Sequence, residues 1–144
     1  MIERLPLLLA LMLAGCPPAN DDDSAAADDD DSTEEPREPT WENVFALVSF
    51  RCACHSVEEQ DGGFYDLTDP DTAWDALVNV PSEDLPSMDR VEPGDPDASY
   101  VVAKIEDRQD AVGGRGDRMP PTGFALPADD IALIRDWIAA GAEQ

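Results

Sequence analysis

The chain has 144 residues, with 33 Asp and Glu against 9 Lys and Arg, for a formal net charge of −24. That charge excludes electrostatic binding to nucleic acid or to an anionic membrane face, both of which need a basic surface. The length allows one small domain of about 100 residues and not two, and the one long apolar run, residues 5–13, is shorter than the roughly 20 residues that cross a bilayer, which excludes a multi-pass membrane protein.

The first element is an export signal. Arg4 precedes the run Leu5-Pro6-Leu7-Leu8-Leu9-Ala10-Leu11-Met12-Leu13, and Ala14-Gly15-Cys16 follows. A basic start, a short apolar stretch and small residues before a cut site form a secretory signal. Leu13-Ala14-Gly15-Cys16 resembles the lipobox of bacterial lipoproteins, which implies cleavage before Cys16 and a diacylglyceryl group on its sulfur. Glu3 departs from the usual purely basic start. Residues 1–15 are thus read as signal peptide.

Residues 16–40 are read as an acidic, disordered tether. From residue 17 to residue 40 ten acids stand against Arg37 alone, a charge of −9. Pro, Ala, Ser and Asp offer almost nothing to bury, so such a segment cannot offset its ordering entropy, and like charges extend it. It serves as a spacer or as a solubilising stretch. The domain proper is expected over 41–144.

Four helical stretches follow between long loops. Thr40 is a suitable N-cap for the first, where Trp41, Val44, Phe45 and Val48 share one helical face. Asp69-Pro70 opens the second as a cap with proline at the first turn, with Ala73, Trp74, Leu77 and Val78 on its apolar side. The third is expected to begin at Asp95-Pro96 and to turn Val101, Val102 and Ile105 inward. The last is expected over about 127–140, with Ile131, Ile134 and Ile138 on one face, Leu133 and Trp137 beside it, Asp129 and Asp130 in the dipole-favoured first turn and Gly141 as its stop. Alternating β-branched runs are absent and the 13 prolines break up what remains, so the fold class is all-α. Trp41, Trp74 and Trp137 are read as core anchors. Arg115-Gly116-Asp117 is too short a triplet to carry a functional meaning.

The chemistry gathers at Cys52-Ala53-Cys54-His55. With Cys16 assigned to lipid, the remaining two of three cysteines lie in an oxidising compartment, where a close pair is a disulfide, a metal site or a cofactor attachment. A histidine directly after a cysteine, with a second cysteine just upstream, is the arrangement for covalent haem attachment. The thiols add across the porphyrin vinyl groups, and His55, the only histidine in the chain, can then supply an imidazole nitrogen to the iron. The candidate sixth ligand is Met119, 64 residues further on. It lies in Arg118-Met119-Pro120-Pro121-Thr122-Gly123, where two prolines stiffen the loop. The spacing leaves room for two helices.

Taken in order, Cys54-His55, Gly62-Gly63-Phe64-Tyr65-Asp66-Leu67, Val91-Glu92-Pro93-Gly94-Asp95-Pro96-Asp97-Ala98-Ser99-Tyr100, Arg118-Met119-Pro120-Pro121 and the stretch from Ile131 to Ala142 resemble a class I c-type cytochrome, in particular the planctomycete-type cytochrome c domain. The resemblance implies a small domain of about four short helices and long loops around a haem, with its N- and C-terminal helices crossing nearby. It implies haem c as cofactor, with Cys52 and Cys54 as thioether residues, His55 as proximal ligand and Met119 as distal ligand. One residue separates the cysteines where the family has two. On an α-helix that change turns Cys52 by about 100°. Cys54 and His55 keep their relative geometry, while three fates are open to Cys52: a strained thioether, a thiol, or pairing with Cys54.

The expected function is single-electron transfer in the cell envelope, at the periplasmic face or cell surface, by a haem protein whose only membrane attachment is lipid at Cys16. An electron carrier rather than an enzyme is expected, because six-coordinate iron has no open site. The acidic surface suits a redox partner with a basic docking face. The alternative is a haem-free lipoprotein of the same fold, a binding or structural module in which Cys52 and Cys54 form a disulfide or join His55 and an acid around a metal.

Overall fold

The computed structural model describes residues 36–56, 66–121 and 125–144, all within a unit that spans Glu34–Gln144. The expected signal peptide, Cys16 and most of the expected tether lie outside the described residues. So do residues 57–65, 122–124 and the Cys54 side chain.

The described residues are helical, with four α-helices: α1 (Trp41–Arg51), α2 (Pro70–Leu77), α3 (Tyr100–Ile105) and α4 (Ala128–Ala139). Two short 3₁₀ turns, Ala53–Ser56 and Pro96–Ala98, complete the set. No strand forms among the described residues; only isolated bridges join Val78 to Val91 and Pro81 to Asp89. The all-α class expected from the sequence holds, and none of these helices is long and apolar enough to cross a membrane.

Side-chain caps set two of the four helix starts. The Thr40 hydroxyl accepts the Asn43 N–H at 3.4 Å. The Asp69 carboxylate accepts from both Asp71 and Thr72 ahead of Pro70. Each satisfies donors that a helix leaves without an internal partner. At α4 Pro127 holds the cap position, and Gly141, with φ at +111°, ends the helix. The third start differs from expectation. Asp95 caps Asp97 and Ala98, but only a 3₁₀ turn follows. Ser99 then leaves helical geometry, and α3 begins at Tyr100. The Ser99 hydroxyl, fully buried, accepts from Glu92 N–H and donates to the Asp95 carbonyl, each at 2.9 Å, so the chain is pinned at the break.

The core sits where α1 packs against α4. Val44, Leu47 and Val48 meet Leu133, Ile134 and Ile138 there, together with Val91 and Val102. Trp41 stacks on Trp137 with centroids 5.1 Å apart. All three tryptophans also donate to backbone carbonyls: Trp41 to Pro70, Trp74 to Ala142 and Trp137 to Glu143. As anchors they tie α1 to α2, and α2 and α4 to the C-terminal residues. Residues 36–40, assigned to the tether by composition, join the folded part. Arg37 pairs with the buried Asp130 in the first turn of α4, and Arg51 at the end of α1 lies 3.6 Å from the other oxygen of that carboxylate.

Candidate functional site

The end of α1 delivers the first site residues. Cys52 is its C-cap, with φ −111° and ψ 28°, and its own N–H still bonds to the Val48 carbonyl at 2.8 Å. The chain then tightens. His55 N–H donates to the Cys52 carbonyl at 2.9 Å, a three-residue step. In a 3₁₀ turn residues three apart are eclipsed, so Cys52 and His55 fall on one side. The α-helical rotation of about 100° expected for Cys52 therefore does not describe this segment, because the α-helix ends at Cys52 itself. The half-buried His55 is further tied by its carbonyl, which accepts from Leu67 N–H at 3.4 Å.

Cys52, His55 and Met119 line one cavity. Apolar side chains make much of its wall: Val48 from α1, Leu67, Leu77 from α2, and Val101 and Ile105 from α3. Polar groups complete the lining, among them Ser82, Glu83, Asp84, Arg90, Tyr100 and Lys104. Arg90 is held by the Ala76 carbonyl at 2.6 Å and by Glu83 at 3.7 Å. Cys54 lies in the same 3₁₀ turn, but its side chain is outside the described residues, as is the expected lipidation site Cys16.

The donor set suits a haem. A thiol, an imidazole and a thioether share a largely apolar cavity, which are groups that anchor and ligate an iron porphyrin, while Arg90 and Lys104 in the same lining are each paired with an acid, Glu83 and Asp84. The enclosed volume is about 140 Å³, less than the roughly 300–1,000 Å³ of small-molecule pockets. The described walls therefore enclose less than a porphyrin's bulk, and a porphyrin would have to spread them. For the metal-site alternative, no group of three or more His, Cys, Asp or Glu that could hold an ion occurs among the described residues. A larger groove of about 590 Å³ runs beside Trp41, Phe45 and Trp137 and contains none of the cysteine, histidine or methionine candidates.

Met119 is brought in by backbone contacts that local sequence does not announce. Its N–H donates to the Lys104 carbonyl on α3 at 3.0 Å, and its bond to Pro120 is cis. Tyr100 and Lys104, neither singled out from the sequence as a site residue, are both buried and both reach the Arg115 carbonyl, at 3.0 and 3.1 Å. Burial pushes the Tyr100 hydroxyl above its ordinary value, against a smaller opposing effect of its bond to the Arg115 backbone. The available signal was the cluster Gly113-Gly114-Arg115-Gly116, since glycines concentrate where a backbone approaches closely.

Comparison with known proteins adds no relative: no family model matches the chain, and neither the curated proteins nor the solved structures give a match.

Proposed function

We propose that this domain is a c-type cytochrome of the class I kind, tethered by lipid at Cys16, that carries single electrons in the bacterial cell envelope. The observation that carries the reading is the cavity shared by Cys52, His55 and Met119, residues up to 67 positions apart. Haem c, when bound, supplies a reversible one-electron iron couple. His55 and Met119 would hold its iron, and Cys52 and Cys54 would anchor it covalently. Val48, Leu67, Leu77, Val101 and Ile105 would keep water from the site, and Arg90 would offer a cation to its carboxylates. Met119 as a ligand favours a higher potential than many alternative pairs.

The test is optical redox titration of the full-length protein taken from an envelope fraction. The reading predicts a reversible one-electron transition with a sharp reduced α-band, and a lower midpoint in Met119→Ala. The haem-free alternative, favoured by the small enclosed volume, predicts a colourless protein.

A further inference from the structure

We infer that Tyr100 and Lys104 are positioning residues that seat the Met119 segment against the cavity it shares with His55. The inference rests on the cytochrome reading and deepens it. Tyr100 and Lys104 stand one helical turn apart on α3, only 4% and 7% exposed. A lysine so buried requires partners, and both polar ends converge on one peptide unit. The Tyr100 hydroxyl and the Lys104 ammonium donate to the Arg115 carbonyl, and Arg115 N–H donates back to the hydroxyl at 3.1 Å. Asp84 lies 3.8 Å from the ammonium. Four residues later the Lys104 carbonyl accepts Met119 N–H at 3.0 Å. One turn of α3 thus grips both ends of the short stretch 115–119 and lines the cavity with the same side chains.

The glycines make the grip possible. A Cβ on Gly114 would collide with the Tyr100 ring, and one on Gly116, whose φ is +75°, would lie 3.0 Å from the Lys104 ammonium. Gly113 holds φ +86° with open space around it, so its need is conformational. A hydrophobic pair would pack here without fixing a particular carbonyl; two donors on one oxygen specify where the segment stops.

The experiment uses the full-length ferric holoprotein and imidazole as probe. Imidazole reaches the iron only when the thioether lets go, so its apparent affinity reports how firmly Met119 is held. Tyr100→Phe removes one oxygen and with it both hydrogen bonds to the Arg115 peptide, and is expected to tighten imidazole binding by about tenfold. Lys104→Met and Gly114→Ala should act in the same direction. In a Met119→Ala background Tyr100→Phe should change nothing. Amide exchange at Met119 should quicken in Tyr100→Phe by a similar factor.

Imidazole affinity unchanged within about twofold, alongside a lower melting temperature, would show a merely structural role and overturn the inference while leaving the cytochrome reading intact. Wild-type protein that holds haem but already binds imidazole as tightly as Met119→Ala overturns both the distal ligand and its positioning. Wild-type protein without haem overturns the inference together with the reading beneath it, whatever the exchange data show.

Discussion

Cys52 and His55 share a side of the chain because α1 stops at Arg51, with Cys52 as its C-cap, and the chain then tightens into a 3₁₀ turn. That geometry brings Cys52 to the cavity beside His55; on the proposed reading Cys52 and Cys54 are the two thioether residues. Replaced singly by alanine, Cys52 and Cys54 should each leave haem attached through the other, with the reduced α-band moved to longer wavelength because one vinyl stays conjugated. Replaced together they should release it on boiling in detergent. Haem that stays attached in the double variant would contradict the assignment, and a wild-type band matching Cys52→Ala would give the bond to Cys54 alone. The motif itself was readable because its chemistry is contiguous in sequence. The grip on Arg115 was not, because Tyr100 meets a carbonyl 15 residues away through contacts with no local period.

Among the elements, α1 and α2 were legible because Thr40 and Asp69 are side-chain caps followed by clear apolar periodicity. The cap at Asp95 was equally visible but led only to a 3₁₀ turn, since buried Ser99 bonds back to residues 92 and 95 and halts the helix. Asp69→Ala should cost about 1 kcal/mol of stability, measured by denaturant melts. Asp130→Ala should cost about 1–3 kcal/mol. That is less than for a fully buried pair, because Arg37 and Arg51 are 42% and 43% exposed and can rehydrate. Asp130 was read from sequence as a dipole partner; its burial against two arginines from other elements could not be seen there. At the other side of α4, Arg135 bonds to Asp97 at 2.9 Å and holds its carboxyl below the ordinary 3.8. A depressed native value stabilises above the unfolded pKa, and that contribution disappears as pH falls through the native one. The stability gap between wild type and Asp97→Asn should therefore be present at neutral pH and close as the pH drops below about 3.8. A gap that persists unchanged at pH 2 would contradict the pairing.

At the scale of the whole molecule, a charge of −24 over 144 residues would, on the proposed reading, steer it toward a basic redox partner. Electron transfer to a basic partner should slow as salt rises from about 0.01 to 0.15 M, over which the screening length falls from roughly 30 to 8 Å. Stopped-flow rates that ignore salt would remove the steering argument. The described cavity encloses only about 140 Å³, so occupancy by a porphyrin should both spread and brace the surrounding walls. Haem-loaded protein should melt well above any haem-free fraction. All of this turns on whether iron porphyrin is covalently part of the chain. Intact mass of the denatured full-length protein, purified from an envelope fraction, decides it. The account predicts a polypeptide heavier by one haem, with the stain for haem peroxidase activity staying on the band after boiling in detergent. A mass equal to the lipid-modified polypeptide alone would contradict it.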